Sequence, residues 1–421
     1  MLLTRRGVFR GGVLVAFGLT APTFLTMTAQ HTAEAGVSTA TGRNVLVVLQ
    51  LGGGNDGLNT VIPYADPAYR AARPTLAIPE AEVLPLSGYV GLHPSMAALK
   101  ARFDAGQFAI IQGVGYPNPN RSHFRSMEIW QTARPDAYEP TGWLGRYLDA
   151  NCCGEDRPAG AAEREGSLEA VSIGESLPRS FWTEHSLVPA ISNLAAYEFQ
   201  TDRRYPDDRV HQLEAFDACY AAPTCRREYE EFLRRVGKDA LVTSEELKKL
   251  SRSYQTSVPY PTTALANNLK SVAQMIAADM GTRVFYVSTG GFDTHANQKN
   301  THANLLKQIS EALDAFMKDL EEKGMADRVV VLAFSEFGRR VKENGSLGTD
   351  HGAAAPMFLL GYPVAGGLHA TYPSLTDLEN GDLKMTVDFR TVYASVLKDW
   401  LGTAPQKVLG GDFGSLPLFR L

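Results

Sequence analysis

"NVLVVLQLGGGNDGLN", residues 44–59, joins an unbroken apolar run to a tract of glycines, asparagine and aspartate. A strand with one wet face alternates apolar and polar residues; a Val/Leu run without alternation belongs to a strand covered on both faces. The glycines after it predict a tight loop whose backbone can approach a ligand closely. Three further stretches repeat the pattern. "FAIIQGVG" (108–115) leads into "YPNPNRSHF", "RVFYVST" (283–289) into "GGFDTHANQ", and "RVVVLAFS" (328–335) into "EFGRRVKENGSLGTDHG". "PMFLLG" (356–361) reads as a fifth strand.

Helical patterns lie between these runs. From His302 to Lys323, Leu305, Leu306, Ile309, Leu313, Phe316, Met317 and Leu320 recur at helical spacing, and Gly324 ends the run. "HPSMAALKARFDAG" (93–106) and "DFRTVYASVLKDWLG" (388–402) read the same way. Strands alternating with helices predict an α/β fold whose mostly parallel sheet is covered on both faces. Residues 151–261 differ: they hold all four cysteines, a highly charged stretch and no buried-strand run, and read as a mainly helical insertion or cap.

The bulk composition is that of an ordinary globular protein. Of 421 residues, 44% are hydrophobic and 21% charged, with a formal net charge of -5 and no basic block. Nucleic-acid binding therefore has no electrostatic footprint. At the N-terminus, Arg5, Arg6 and Arg10 precede the apolar stretch "VLVAFGLTAPTFLTM", and "AEA" ends at Ala35. This is the layout of a cleavable signal peptide over residues 1–35, of twin-arginine type. Gly and Pro interrupt the apolar stretch, which is shorter than the roughly 20 residues of a spanning helix. The expected location is the periplasm or outside the cell, after passage through the twin-arginine machinery and without a stable membrane span. In such a compartment, Cys152, Cys153, Cys219 and Cys225 favour disulfides over a metal site, and four cysteines allow three connectivities.

In a parallel sheet, the loops after the strands share the carboxyl edge, where open α/β folds place their sites. Those loops carry Asn55 and Asp56; Asn120, Arg121, Ser122 and His123; Asp293, His295 and, farther on, His302; and Glu336, Arg339, Asp350 and His351. Carboxylates with neutral imidazoles suit one or two divalent cations. Zinc is first expected; manganese, calcium and magnesium are the alternatives. The metal candidates are Asp56, with Asn55 as its alternative, Asp293, His295, His302, Asp350 and His351. Ser122 stands where "SHFRSMEIWQTA" begins a helical pattern, as an N-cap or as a nucleophile activated by metal and helix dipole. Arg121 and Arg339 would clamp an anion. A nucleotide-binding reading of "LGGGNDG" is discounted because the Lys-Ser/Thr of a P-loop is missing, and no GxSxG elbow is present.

"LGGGNDGLNTVIPY", "NPNRSHFRSMEIWQTA", "GGFDTHANQ" and "SEFGRRVKENGSLGTDHG" together resemble the DUF1501 family of exported bacterial proteins. That family is similar to the alkaline phosphatase superfamily, which includes sulfatases. The resemblance implies a three-layer αβα sandwich over residues 36–421 and a two-metal site. It matches Asp56 to a first-strand metal ligand and Ser122 to the nucleophile. Asp293 pairs with His295 or His302, and Asp350–His351 matches the superfamily's adjacent Asp-His pair. Its Asp-to-His spacing departs from the superfamily's, His369 is the only candidate for a last C-terminal ligand, and the sulfatase signature is absent around Ser122. The implied activity is metal-dependent hydrolysis of phosphate or sulfate esters, on small-molecule or polysaccharide substrates. A non-catalytic metal- or carbohydrate-binding envelope protein is the alternative.

Overall fold

The computed structural model describes residues 43–152, 168–186, 188–194, 204–221 and 253–420. The signal segment, Cys153, Cys225 and the side chains of Cys152 and Cys219 lie outside the described residues, as does most of the charged stretch after Cys225.

Nine strands form the main sheet: β1 (Val45–Leu51), β2 (Phe108–Gly115), β3 (Ala170–Ile173), β4 (Ala190–Ile191), β5 (Val284–Thr289), β6 (Val329–Ser335), β7 (Ala355–Leu360), β8 (Gly367–His369) and β9 (Val387–Asp388). Their order is β8-β2-β7-β6-β1-β5-β3-β4, with β9 beside the end of β2. β1 is central, as its unbroken apolar run predicts. Its side chains divide between two cores: Val45, Val47, Leu49 and Leu51 face one, Leu46 and Val48 the other.

Helices α1 (Ala97–Asp104), α5 (Ala264–Ala277) and α6 (Gln298–Glu322) close the first core through Leu99, Leu269 and Phe316 among others. Helices α2 (His123–Thr132), α3 (Trp143–Cys152) and α7 (Phe389–Ser395) close the second through Trp130, Trp143 and Tyr393. The fold is thus a three-layer αβα sandwich. A remaining helix, α4 (Pro206–Ala221), falls in the stretch read as a helical insertion.

β7 is the one antiparallel strand at the sheet's centre, pairing with both β6 and β2. The loop from Glu336 to Ala354 carries no helix, so the chain returns directly instead of crossing over. β2, β6, β1 and β5 consequently run the same way. Leu51 stands opposite both Thr289 and Ser335, so three of the four loops leave the sheet at one level.

One reading of residues 151–261 is corrected. β3 and β4 lie inside that stretch and extend the main sheet in parallel from β5. "AVSI" is a short buried run between polar segments, too brief to stand out in the sequence. Among the described residues, no helix is long and apolar enough to cross a membrane.

Candidate metal centre

The carboxyl edge gathers three imidazoles around one carboxylate oxygen. Asp293 Oδ1 lies 3.0 Å from His295 Nε2, 3.1 Å from His351 Nε2 and 3.5 Å from His123 Nε2. His295 Nε2 and His351 Nε2 are themselves 2.9 Å apart. The outward nitrogen of each ring has a defined oxygen partner. His351 Nδ1 donates to the Arg121 carbonyl at 2.8 Å, His123 Nδ1 to Glu336 Oε1 at 2.8 Å, and His295 Nδ1 to Asp350 Oδ1 at 3.2 Å. These partners suit the tautomer with the proton on Nδ1, the one in which Nε2 can ligate a cation. Three Nε2 atoms then converge on one carboxylate oxygen. Among the described residues, His123, Asp293 and His351 form a group whose ligand atoms all lie within 4.8 Å of one another.

Local backbone chemistry builds this cluster. Gly53 and Gly54 have φ of 116° and 74°. A Cβ on Gly53 would stand 2.5 Å from the Asp293 amide nitrogen, and one on Gly54 2.4 Å from the Phe337 ring, so only glycine fits. Gly53 N–H donates to Glu336 Oε1 at 2.8 Å, which ties the β1 and β6 loops together. Arg339 is buried and fully engaged. It donates to the carbonyls of Gly54 (2.7 Å), Thr349 (2.9 Å), Phe292 (3.0 Å) and Gly53, and to Asp293 Oδ1 at 2.7 Å. Partial burial alone would raise the Asp293 carboxyl. Arg339, through its hydrogen bond and its charge, outweighs this and holds the group at about 2, so it is an anion at neutral pH.

Asp293, His295 and His351 stand together as the spacing anticipates; the remaining candidates have other places. Asp350 turns away from its neighbour, holds His295 from behind, and takes the Asn344 amide at 3.1 Å. His351 pairs as an isolated bridge with Arg339, and extended backbone sends adjacent side chains to opposite sides. Asp56 is fully buried and bound by Arg73 Nη1 at 2.6 Å and by Gln298, so it is no part of the cluster. Burial opposes its ionisation, but Arg73 more than compensates and lowers its pKa. His302 is buried beside it, with Nε2 2.9 Å from Asn55 Oδ1, and burial pushes its pKa down to about 4. Asp56 and His302 therefore belong to a buried polar group with Arg73, Gln298 and Asn55, in which Asp56 Oδ2 is held by Arg73 and Gln298.

Both arginines expected to clamp an anion have internal partners: Arg339 is fully buried among loop carbonyls and Asp293, and Arg121 is held by Asp382, with Nε at 2.8 Å. Ser122 is exposed at the N-cap of α2, and its side chain makes no capping hydrogen bond. His369 bonds the Ala365 carbonyl at 2.7 Å and does not join the cluster. The sequence reading passed over His123 as a ligand and Glu336 and Arg73 as partners. For His123 the signal was present, a fourth carboxyl-edge histidine beside Ser122. An open pocket of about 660 Å³ meets the centre at His123, Asp293 and Glu336.

Fold and site together define an αβα protein with a histidine–aspartate cluster at the carboxyl edge of its sheet. Over residues 79–410 the sequence matches a family described as "Protein of unknown function (DUF1501)", and the chain belongs to that family. Among curated proteins, none matches it. It is similar to several solved structures. A sulfatase from Pseudoalteromonas sp. aligns with TM-score 0.34 and 10% identity, over 89% of this chain and 71% of that one. The C-terminal periplasmic domain of EcEptC from Escherichia coli gives TM-score 0.36 and 10% identity, over 90% and 88%. A protein in the alkaline phosphatase superfamily from Vibrio parahaemolyticus gives 0.32 and 11%, over 78% and 62%.

Proposed function

We propose that the chain is a hydrolase of phosphate or sulfate esters built on one divalent cation, exported by the twin-arginine pathway to the periplasm or beyond. The observation that carries this reading is the convergence of three Nε2 atoms on Asp293, with every Nδ1 bonded outward. Imidazoles bonded outward through the other ring nitrogen are characteristic of metal ligands. Nitrogen-rich donors with one carboxylate fit zinc, manganese or iron, and suit calcium or magnesium poorly. His123, Asp293, His295 and His351 would hold the ion. When bound, it would stabilise negative charge developing on the ester oxygens.

The chain's own residues supply the rest. Arg339 and Glu336 position the ligands from behind. Ser122 is the nucleophile: its Oγ bonds to phosphorus or sulfur as the bond from that atom to the ester oxygen breaks. The alkoxide leaves as an alcohol, with the hydroxyl's proton relayed to it through solvent. Water then cleaves the seryl ester, regenerating the hydroxyl and releasing phosphate or sulfate. The Arg5-Arg6 pair ahead of an apolar stretch supports the export route.

Metal content decides the reading. The wild type is expected to carry about one transition metal per chain, lost in Asp293→Asn combined with His351→Ala. Ser122→Ala is expected to retain metal but lose turnover of phosphate and sulfate monoesters. Full metal retention by the double variant would overturn the centre. A second reading, non-catalytic binding of metal or carbohydrate, draws on the commitment of both Arg121 and Arg339 to internal partners. Intact metal binding with no turnover of any ester supports it.

A further inference from the structure

The pocket extends past the histidines along one face of α2. Phe124, Met127, Glu128 and Gln131 recur at i, i+3, i+4 and i+7 and line it, while Ile129 and Trp130 on the opposite face are buried in the core. Phe124 is 91% exposed, an apolar ring held in water at the pocket wall. On the other side, Arg179 donates to Glu128 at 2.9 Å and lies over the rings of Tyr138 and Trp182, 4.9 and 5.0 Å from their centroids. At the floor, Gln131 Nε2 donates to Gln50 Oε1 at 2.9 Å. Gln50 Nε2 has no partner among the described residues, so its two N–H donors remain open to the pocket.

These walls select a ligand chemistry. The outer half combines an aromatic face, a carboxylate acceptor and two kinds of donor, guanidinium and amide. Glu128 is bound on both oxygens, by Arg179 at 2.9 Å and by Arg125 from outside the pocket at 2.9 Å. A wholly apolar body would bury the Gln50 amide without a partner, at a cost of roughly 1–3 kcal/mol. An uncharged ring with C–H faces and hydroxyl edges avoids that cost, because each hydroxyl donates and accepts.

We propose that the outer half is a subsite for an uncharged saccharide ring, the alcohol part of the ester; this rests on the hydrolase reading for the inner end. The C–H face of the sugar stacks on Phe124, and its hydroxyls bond Glu128, Arg179 and Gln50. The hydrolysed bond then lies over His123 and Asp293.

The test uses the full chain, with binding read by saturation-transfer NMR on chelator-stripped protein. The probes are methyl β-D-glucopyranoside and methyl β-D-galactopyranoside. At least one is expected to bind in the roughly millimolar range, and Phe124→Ala to weaken it at least about fivefold. Because Phe124 is exposed, that variant keeps the fold; circular dichroism checks it. In the metal-loaded enzyme, kcat/KM for a hexose 6-phosphate or 6-sulfate is expected to exceed that for ethyl phosphate at least about tenfold. No pyranoside binding, or binding undiminished by Phe124→Ala, overturns the subsite even if ethyl phosphate is cleaved. Pyranoside binding with no ester turnover upholds the subsite and sinks the hydrolase reading instead.

Discussion

Replacing Arg73 by methionine strips the counter-charge from a carboxylate that has no access to water. Both side chains of the Asp56–Arg73 pair are fully buried. The guanidinium donates to Asp56 Oδ2 at 2.6 Å, Asn59 Oδ1 at 2.8 Å, the Val341 carbonyl at 2.9 Å and the Arg340 carbonyl at 2.9 Å. Breaking a buried ion pair from one side typically costs about 3–5 kcal/mol. The two orphaned carbonyls add to that, although such costs are not additive. Arg73→Met is therefore expected to lose at least about 3 kcal/mol. Adding Asp56→Asn removes the stranded charge, so the double variant should be clearly more stable than the sum of the single losses, by at least about 1 kcal/mol. Urea unfolding followed by tryptophan fluorescence measures all three, and elemental analysis of the folded protein gives metal content. An Arg73→Met loss below about 0.5 kcal/mol would refute the argument. So would a folded Asp56→Asn variant whose metal content falls to zero, because Asp56 would then be a ligand after all.

Acid should weaken the same region through His302. Burial holds the ring at about 4 against its ordinary 6.5, so the folded state prefers it neutral. Its contribution is whole above about pH 6.5 and declines as pH falls towards 4, by roughly 3 kcal/mol in total. Urea midpoints from pH 8 to pH 4 should show this decline and His302→Gln should flatten it; an unchanged slope would count against the burial argument. At the centre itself, Glu336→Gln removes the carboxylate that fixes the His123 tautomer. Metal affinity should fall about 10- to 100-fold with the fold intact, measured by competition with a chelating dye. Unchanged affinity would mean that His123 is not a ligand.

The strands and their covered faces were legible in the residues because a doubly buried strand leaves an unbroken apolar run, as in β1, β2, β5 and β6. So was the edge on which the polar loops would meet, since parallel strands share a carboxyl end. Asp293 and His295 could be read together because only Thr294 separates them. β3 escaped detection because four buried residues are too few to show a period.

The partners escaped for a different reason. Nothing local distinguishes Arg73 from a solvated surface arginine, yet the loop after β6 folds over it and turns two carbonyls towards it. Nor does adjacency say which of Asp350 and His351 faces a ligand; the bridge to Arg339 decides that one points inward and the other behind His295. The layers, the edge and the residue types gathered there can be read from the chain alone, because they follow from periodicity and from where strands end. Which carboxylate a guanidinium neutralises, and which one faces three imidazoles, emerges only when the loops pack in three dimensions. That choice depends on contacts between residues far apart in the chain, where burial sets the need for a counter-charge and packing supplies it.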